Sequence, residues 1–397
     1  MKILIVCQYY YPEPFRISDI CEALVQEGHS VTVVTGTPNY PEGEIYPGYE
    51  NGAHADEIIN GVHVHRCPLV PRKTGAMYRF LNYYSYVWSS WRYLRKMRES
   101  FDVVLVNQLS PVMMAEGAIK WARKNHKKCV LYCLDLWPES LLVGGIRKDS
   151  LIYRVFFAVS QRVYRRVDDI LVSSKAFIDY FEENLNIRDK RIRWLPQYAE
   201  DMFGELPEVE KEENVVNFLL AGNIGNLQSV ETIVEAAQLL KEEKGIHIHI
   251  VGSGISLDKC KSMAEGLDNI TFHGRHSLSE MPRFYAMADA MIVSLVKDPG
   301  LSANLPGKVQ SYLAAGKPVI GSINGETARV IREADCGMCA PAEDPAALAE
   351  VMRQVAAQPE KLKQYGENAR RYYYENFHKE YFISELTKVL RENCAEN

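Results

Sequence analysis

The chain alternates between short unbroken apolar runs and longer segments with helical spacing. Ile3–Val6 is a continuous apolar run of the kind a parallel sheet buries on both faces. After the aromatic, polar stretch Gln8–Arg16, residues Ile17, Ile20, Cys21, Leu24 and Val25 fall at i, i+3, i+4, i+7 and i+8, the stripe of an amphipathic helix. Gly28 stands where a helix C-terminal glycine is expected, and Val31–Val34 follows as a second strand, so the opening is a βαβ unit with a right-handed crossover. Further strands are predicted at Val62–Arg66, Val103–Asn107, Cys129–Leu134 and Ile170–Ser173, with helices around Pro111–Lys124, Ser150–Arg166 and Ala176–Asn184. The alternation lapses over Glu205–Asn214, which is acidic, holds one proline and has no apolar period, and therefore reads as a linker. It restarts with strands at Val215–Leu220, His247–Val251, Ile270–Phe272, Ala290–Leu295 and Pro318–Gly321. Helices are expected over Val230–Leu240, Met281–Met287, Lys308–Ala315, Ala346–Ala357 and Lys361–Phe377. The fold class is thus α/β, with two wound halves, 1–204 and 215–375, joined by 205–214. The pattern leaves open whether 376–397 returns to the first half.

Composition narrows the function. The 397 residues suit two or three domains. A net charge of -5 weighs against a general nucleic-acid binder. Of the 9 cysteines, only Cys336 and Cys339 form a CxxC pair, and no second pair or nearby histidine completes a zinc set, so reduced thiols are expected and no metal. The N-terminal apolar run is too short for a secretory signal, and no segment approaches the roughly 18 apolar residues of a membrane span, which points to the cytoplasm.

Ligands of open parallel sheets sit beyond the carboxyl ends of the strands. Gly222 and Gly225 lie in such a loop, where backbone amides and a helix N-terminus can receive an anion or simply make a tight turn. Val251-Gly252-Ser-Gly254 is a second, weaker glycine loop. The loop Gln8–Arg16 has no glycine, which counts against a dehydrogenase. Lys308 falls in the first turn of a helix, where a cation opposes the macrodipole unless a bound diphosphate resolves the mismatch. Arg275 follows another strand end and offers a planar fork to phosphate.

These segments, GNIG, VGSG, HGR, LPGKVQSYLAAGKPVIGS and NGETARVI, together with QYYYPEPFR, EGHSVTVVTG and DLWPES in the first half, resemble the bacterial family 4 glycosyltransferases. The closer likeness is to the capsule and O-antigen branch that includes L-fucosamine transferases, and it covers nearly the whole chain. The resemblance implies a GT-B fold, two Rossmann-like domains facing a central cleft. It also implies retaining, metal-independent transfer with no cofactor, from a nucleotide-diphosphate donor that is most often a UDP sugar. It implies that Gly222, Asn223 and Gly225 meet the donor, that Arg275 borders the diphosphate and that Lys308 contacts the phosphates. Gly252, Asn304 and Gln310 join the donor set. The wider family usually carries two glutamates eight positions apart before its AxGxP run; here those positions are Ala303 and Ser311, so that catalytic glutamate does not carry over and Lys308 gains weight. The arginine and lysine usual in the first phosphate loop are absent too, Asn223 and Gln228 standing near there.

Sugar transfer places negative charge on the departing diphosphate, which Lys308, Arg275 and the Gly222–Gly225 amides are expected to stabilise. Asp135, at a strand end, is the acceptor-side polar group or else a turn cap before Pro138; Glu13, Arg16 and Trp137 are candidate acceptor contacts. From Tyr78 to Tyr93 there are eight aromatic residues, with Arg79 and Arg92 among them and Arg95, Lys96 and Arg98 beyond; Tyr153–Arg166 adds Phe156, Phe157, Arg162, Arg165 and Arg166. Aromatics with cations suit an anionic inner-membrane surface and a polyprenyl-diphosphate-linked saccharide acceptor, or the core of the first domain. Two rival functions stay open: a UDP-sugar epimerase of the same architecture, and a non-catalytic nucleotide-sugar-binding subunit.

Overall fold

The computed structural model describes residues 1–395. The chain divides into two compact units, Met1–Leu195 joined by the stretch from Ile383 onward, and Pro196–Phe382.

The first unit is built on eight strands: β1 (Lys2–Cys7), β2 (Ser30–Gly36), β3 (Asp56–Ile59), β4 (Val62–Cys67), β5 (Val103–Gln108), β6 (Cys129–Cys133), β7 (Asp169–Val172) and β8 (Arg191–Trp194). Their order is β3-β4-β2-β1-β5-β6-β7-β8, parallel throughout except that β3 runs antiparallel to β4. Ile3 to Cys7 are all buried because β1 is central and covered on both faces. The helix Ile17–Gln26 buries Ile17, Ile20, Cys21 and Leu24 as its stripe requires. It ends at Gly28, whose φ of 83° suits only glycine comfortably, with Gly28 N–H and His29 N–H bonded back to Val25 and Leu24 carbonyls. The winding reverses between β1 and β5, so the loops after these strands flank a crevice.

The second unit carries β9 (Val216–Ala221), β10 (Ile246–Val251), β11 (Ile270–Gly274), β12 (Ala290–Ser294), β13 (Val319–Ser322) and β14 (Gly337–Ala340), all parallel in the order β11-β10-β9-β12-β13-β14. Its switch point lies between β9 and β12. Phe218, Leu220, Ile248 and Ile250 form the core with the helices Val230–Leu239 and Pro345–Ala356.

Several expectations need correction. The stretch 205–214 is not the junction; it lies inside the second unit, where Lys211 Nζ bonds Asp289 Oδ1 at 2.6 Å and the Ala288 carbonyl at 3.2 Å. The division instead follows β8, a strand the pattern hid because its side chains alternate arginine with Ile192 and Trp194. The pattern leaves 376–397 open; the last helix is Lys379–Ala395, and its residues from Ile383 lie with the first unit, where Asn393 Nδ2 donates to Asp169 Oδ2 at 2.8 Å and Thr387 Oγ1 to Glu27 Oε2 at 2.9 Å. The aromatic segment is one long helix, Ala76–Lys96, in which Tyr86 is core while Phe80 and Trp88 are exposed. Arg162 and Arg166 both pair with Glu116, at 3.0 and 3.1 Å, and Arg162 stays exposed while Arg166 is part-buried.

Candidate functional site

In the second unit, the loops after β9, β10 and β11 are stitched backbone to backbone. Gly222 N–H donates to Val251 O at 2.9 Å, Ile224 N–H to Ser253 O at 2.9 Å and Gly252 N–H to Gly274 O at 2.7 Å. A Cβ on Gly252 would stand 1.8 Å from Gly222 O, and one on Gly254 2.3 Å from Ile224 O, so glycine is required there for close approach. This corrects the expected phosphate cradle: the amides of Gly222 and Ile224 are spent on the neighbouring loop, and Gly225 N–H donates to Gln228 Oε1 at 3.2 Å. Asn223 Nδ2 meets the same oxygen at 3.1 Å, so Asn223 and Gln228 brace the loop.

What the loop does offer is a seat for Lys308. This residue is second in the helix Gly307–Ala314, and its ammonium is sealed from solvent with no hydrogen-bond partner among the described residues, although its stem is part-exposed. A Cβ on Gly222 would lie 2.9 Å from Lys308 Nζ, so the glycine makes room for the cation at the switch point. Burial pulls the ammonium from 10.5 down to about 8. An unpaired buried charge is costly, and an anion bound against it would remove that cost. Tyr312, one turn further along the helix and fully buried, fixes this position through contacts of its hydroxyl with Ala221 N (3.3 Å) and Ala221 O (3.4 Å). Its role is not legible from the sequence, where a tyrosine at helical spacing reads as core.

Arg275 stands exposed directly after β11, beside the Gly274 carbonyl that holds Gly252. Asn304 is part-exposed in the turn that follows the short helix Pro299–Ser302. Gln310 is buried, and its amide nitrogen reaches the carbonyls of Pro306 (2.8 Å) and Gly307 (3.0 Å), which makes it a brace of its own helix rather than a donor contact. At the positions of the family's glutamates, Ser311 bonds back to Gly307 O at 3.5 Å and Ala303 brings no charge. The nearby Glu326 is buried, with both oxygens on Arg329 at 2.6 and 2.9 Å, and it starts the helix Glu326–Glu333. Cys336 and Cys339 are free thiols that burial pushes up to about 12 and about 11, so neither is a ready nucleophile.

In the first unit, a cavity of about 710 Å³ opens beyond the carboxyl ends of β1, β5 and β6. Its lining is mainly apolar and aromatic, with Tyr9, Tyr83, Trp137 and Phe156 among its walls, and Asp135 is its carboxylate. Asp135 Oδ2 accepts a hydrogen bond from Ser110 Oγ, which in turn lies 2.9 Å from Ser140 Oγ. Burial raises the Asp135 carboxyl above the ordinary range, and the Ser110 bond opposes this. Trp137 is buried edge-to-face against Phe156, with ring centroids 5.7 Å apart, and its indole N–H has no partner among the described residues.

Two expected acceptor contacts are elsewhere. Glu13 is buried and its oxygens accept the N–H groups of Asn39 (2.8 Å), Tyr40 (2.7 Å) and Tyr10 (3.3 Å). It ties two loops together, and burial lifts its carboxyl up to about 7. Arg16 stands at the N-terminal boundary of the helix Ile17–Gln26, outside the cavity lining.

Residues 15–197 match the glycosyl transferase 4-like domain, and residues 215–358 match the glycosyl transferases group 1 domain. The protein is a glycosyltransferase. Its two Rossmann-like units have the architecture of GT-B enzymes. Among relatives, the putative colanic acid biosynthesis glycosyl transferase WcaI of Escherichia coli is 26% identical over 336 residues, which span 80% of this chain and 82% of WcaI. Among solved structures, sucrose-phosphate synthase from Thermosynechococcus elongatus superposes with a TM-score of 0.76 at 16% identity, covering 100% of both chains. Anabaena HepE, solved in complex with UDP-glucose, gives 0.67 at 12% identity, covering 99% of this transferase and 100% of HepE.

Proposed function

We propose that the enzyme moves a hexose or N-acetylhexosamine from a UDP sugar to a polyprenyl-diphosphate-linked saccharide, with retention and without a metal, in surface-polysaccharide synthesis at the inner face of the plasma membrane. The observation that carries the donor reading is the unpartnered Lys308 ammonium seated over Gly222 at the switch point. The names of WcaI and of the UDP-glucose complex of HepE agree with it. In the reaction, the bond between the anomeric carbon and the diphosphate oxygen breaks, and the acceptor oxygen bonds that carbon on the same face. The acceptor proton passes to the leaving phosphate, so no protein carboxylate is needed at Ala303 or Ser311. Lys308, with Arg275 as the second cation, meets the charge that grows on the diphosphate. Asp135 orients the acceptor hydroxyl. Exposed apolar side chains on the helices Ala76–Lys96 and Leu151–Tyr164, among them Trp88 (58% exposed) and Leu151 (76%), support a membrane-facing surface.

The test is release of nucleoside diphosphate from UDP, GDP and dTDP sugars, with and without lipid-linked acceptor, in the wild type and in Lys308→Ala. Acceptor-dependent release from one donor, lost in the variant, is expected, with the anomeric configuration of the product read by NMR. Donor conversion without release would mean an epimerase, and full activity in chelator-treated Lys308→Ala would refute the role given to this lysine.

A further inference from the structure

The cavity of the first unit contains more positive charge than an acceptor hydroxyl requires. Arg72 and Arg79 both line it. The Arg72 guanidinium is part-buried between the rings of Tyr40 and Tyr83, at 5.5 and 5.7 Å, and lies 3.5 Å from the Tyr9 hydroxyl. Among the described residues neither arginine pairs with a carboxylate. Arg79 sits in the first turn of the helix Ala76–Lys96, where the macrodipole opposes a cation and favours an anion. An aromatic cavity with two unneutralised guanidiniums is suited to a ligand that is anionic at one point and apolar beyond it.

The apolar continuation is also present. Phe80 and Ile152 line the cavity yet are 53% and 54% exposed, and next to them in sequence Leu81 and Leu151 are exposed too. The cavity wall therefore runs out to the surface as an apolar rim on the N-terminal turns of two helices. Asp135 with Ser110 and Ser140 supplies polar groups for a sugar hydroxyl in the same cavity. Tyr83, stacked on Arg72, lines the cavity together with Arg79 and Asp135. The cations and the carboxylate thus line one cavity.

We infer that Arg72 and Arg79 hold the diphosphate of a prenyl-diphosphate-linked acceptor, that the rim of Phe80 and Ile152 takes the start of its prenyl chain, and that the saccharide between diphosphate and Asp135 is only one or two sugars long. This rests on the proposal that the acceptor is lipid-linked. It places the enzyme early in its sequence: the reaction that supplies its substrate is transfer of a sugar 1-phosphate onto a prenyl phosphate, which joins the two phosphates and leaves a single sugar at the end.

The experiment uses the full chain, with farnesyl-diphosphate-linked monosaccharide, the same sugar on farnesol without phosphate, the sugar diphosphate without a prenyl chain, and a farnesyl-diphosphate-linked tetrasaccharide. Binding is measured by titration in detergent, and transfer by nucleoside diphosphate release. The first compound is expected to bind at least about tenfold better than either truncated form, in keeping with a charge-assisted contact. Arg79→Ala and Arg72→Gln should each remove about that preference while leaving the KM for donor and the binding of the phosphate-free compound unchanged. Arg79 is exposed, so its variant keeps the test valid if Arg72→Gln does not fold. Equal binding of the diphosphate and phosphate-free forms, or variants that weaken both alike, would overturn the site. Equal use of the tetrasaccharide would overturn the length limit. Discriminating binding without turnover from any donor would count against the proposed transfer and leave the diphosphate site supported.

Discussion

Lys308→Met replaces an unpartnered buried ammonium with an apolar side chain of similar length. The fall of this ammonium from 10.5 to about 8 corresponds to about 3 kcal/mol against the charged form in the empty protein. The sign follows from proton linkage. The folded state holds the proton less tightly than the unfolded chain, so the penalty is complete below about pH 8, lifts between about 8 and 10.5 and is gone above that. At pH 7 the methionine variant should therefore be more stable than the wild type, by up to about 3 kcal/mol, or several degrees in Tm. At pH 10 most of that advantage should vanish. On the proposed donor site, adding UDP should reverse the ranking, because the wild type would gain an ion pair and the variant would not. Activity should fall by about 10²- to 10³-fold, as for loss of a preorganised group facing developing charge. The assay is calorimetry at pH 7 and 10, with and without UDP, alongside initial rates. A variant less stable than the wild type at pH 7, or one that UDP stabilises equally, would refute the reasoning.

Other expectations follow from the same geometry. Gly252→Ala drives a methyl group against the Gly222 carbonyl and should cost about 3 kcal/mol, read by denaturant titration. Asp135→Asn should lower kcat/KM for acceptor by about 10²-fold and leave the donor KM alone. The acid limb of the wild-type pH profile, set by a carboxyl raised by burial, should disappear in that variant. His249, bonded to His273 at 3.0 Å and Asn217 at 3.1 Å, is held by burial down to about 4. Its neutral form is favoured only when folded, so stability present above about pH 6.5 should be lost as pH falls toward 4; His249→Gln should remove about 2 kcal/mol of that dependence after allowance for partial exposure. Flotation with anionic liposomes should weaken in Leu151→Asp and Ile152→Asp and with added salt; unchanged flotation would remove the membrane surface from these helices.

The strand and helix alternation was legible because the central strands, such as β1, β5 and β6, hold mostly apolar runs and the first helix carries one clear stripe. The edge strands β3 and β8 escaped, since an edge strand needs only half its side chains apolar, and β14 escaped because its four residues, GMCA, are too short and small to mark a strand. The helix Ala76–Lys96 escaped for the opposite reason: aromatics occur around its whole circumference, some in the core and some in solvent, so no single face stands out. Glu13 was misread because a carboxylate on a strand-end loop looks available for ligand until the backbone amides that consume it are seen.

The phosphate loop shows where sequence reading of glycine runs out. A glycine pattern says that something approaches the backbone closely, and here that something is another loop. The amides of Gly222, Ile224 and Gly225 are satisfied inside the protein, so on the proposed donor reading the work of holding a diphosphate falls more to side chains. Of the acidic pair usual in the family, one position is alanine and the other a serine turned back on its own helix. Nothing in this site then neutralises Lys308, which is why burial alone sets its ionisation. An ammonium with no internal counter-ion keeps its full charge for whatever anion arrives. The loss of the glutamates and the reliance on a lysine are therefore one electrostatic arrangement rather than two independent departures from the pattern.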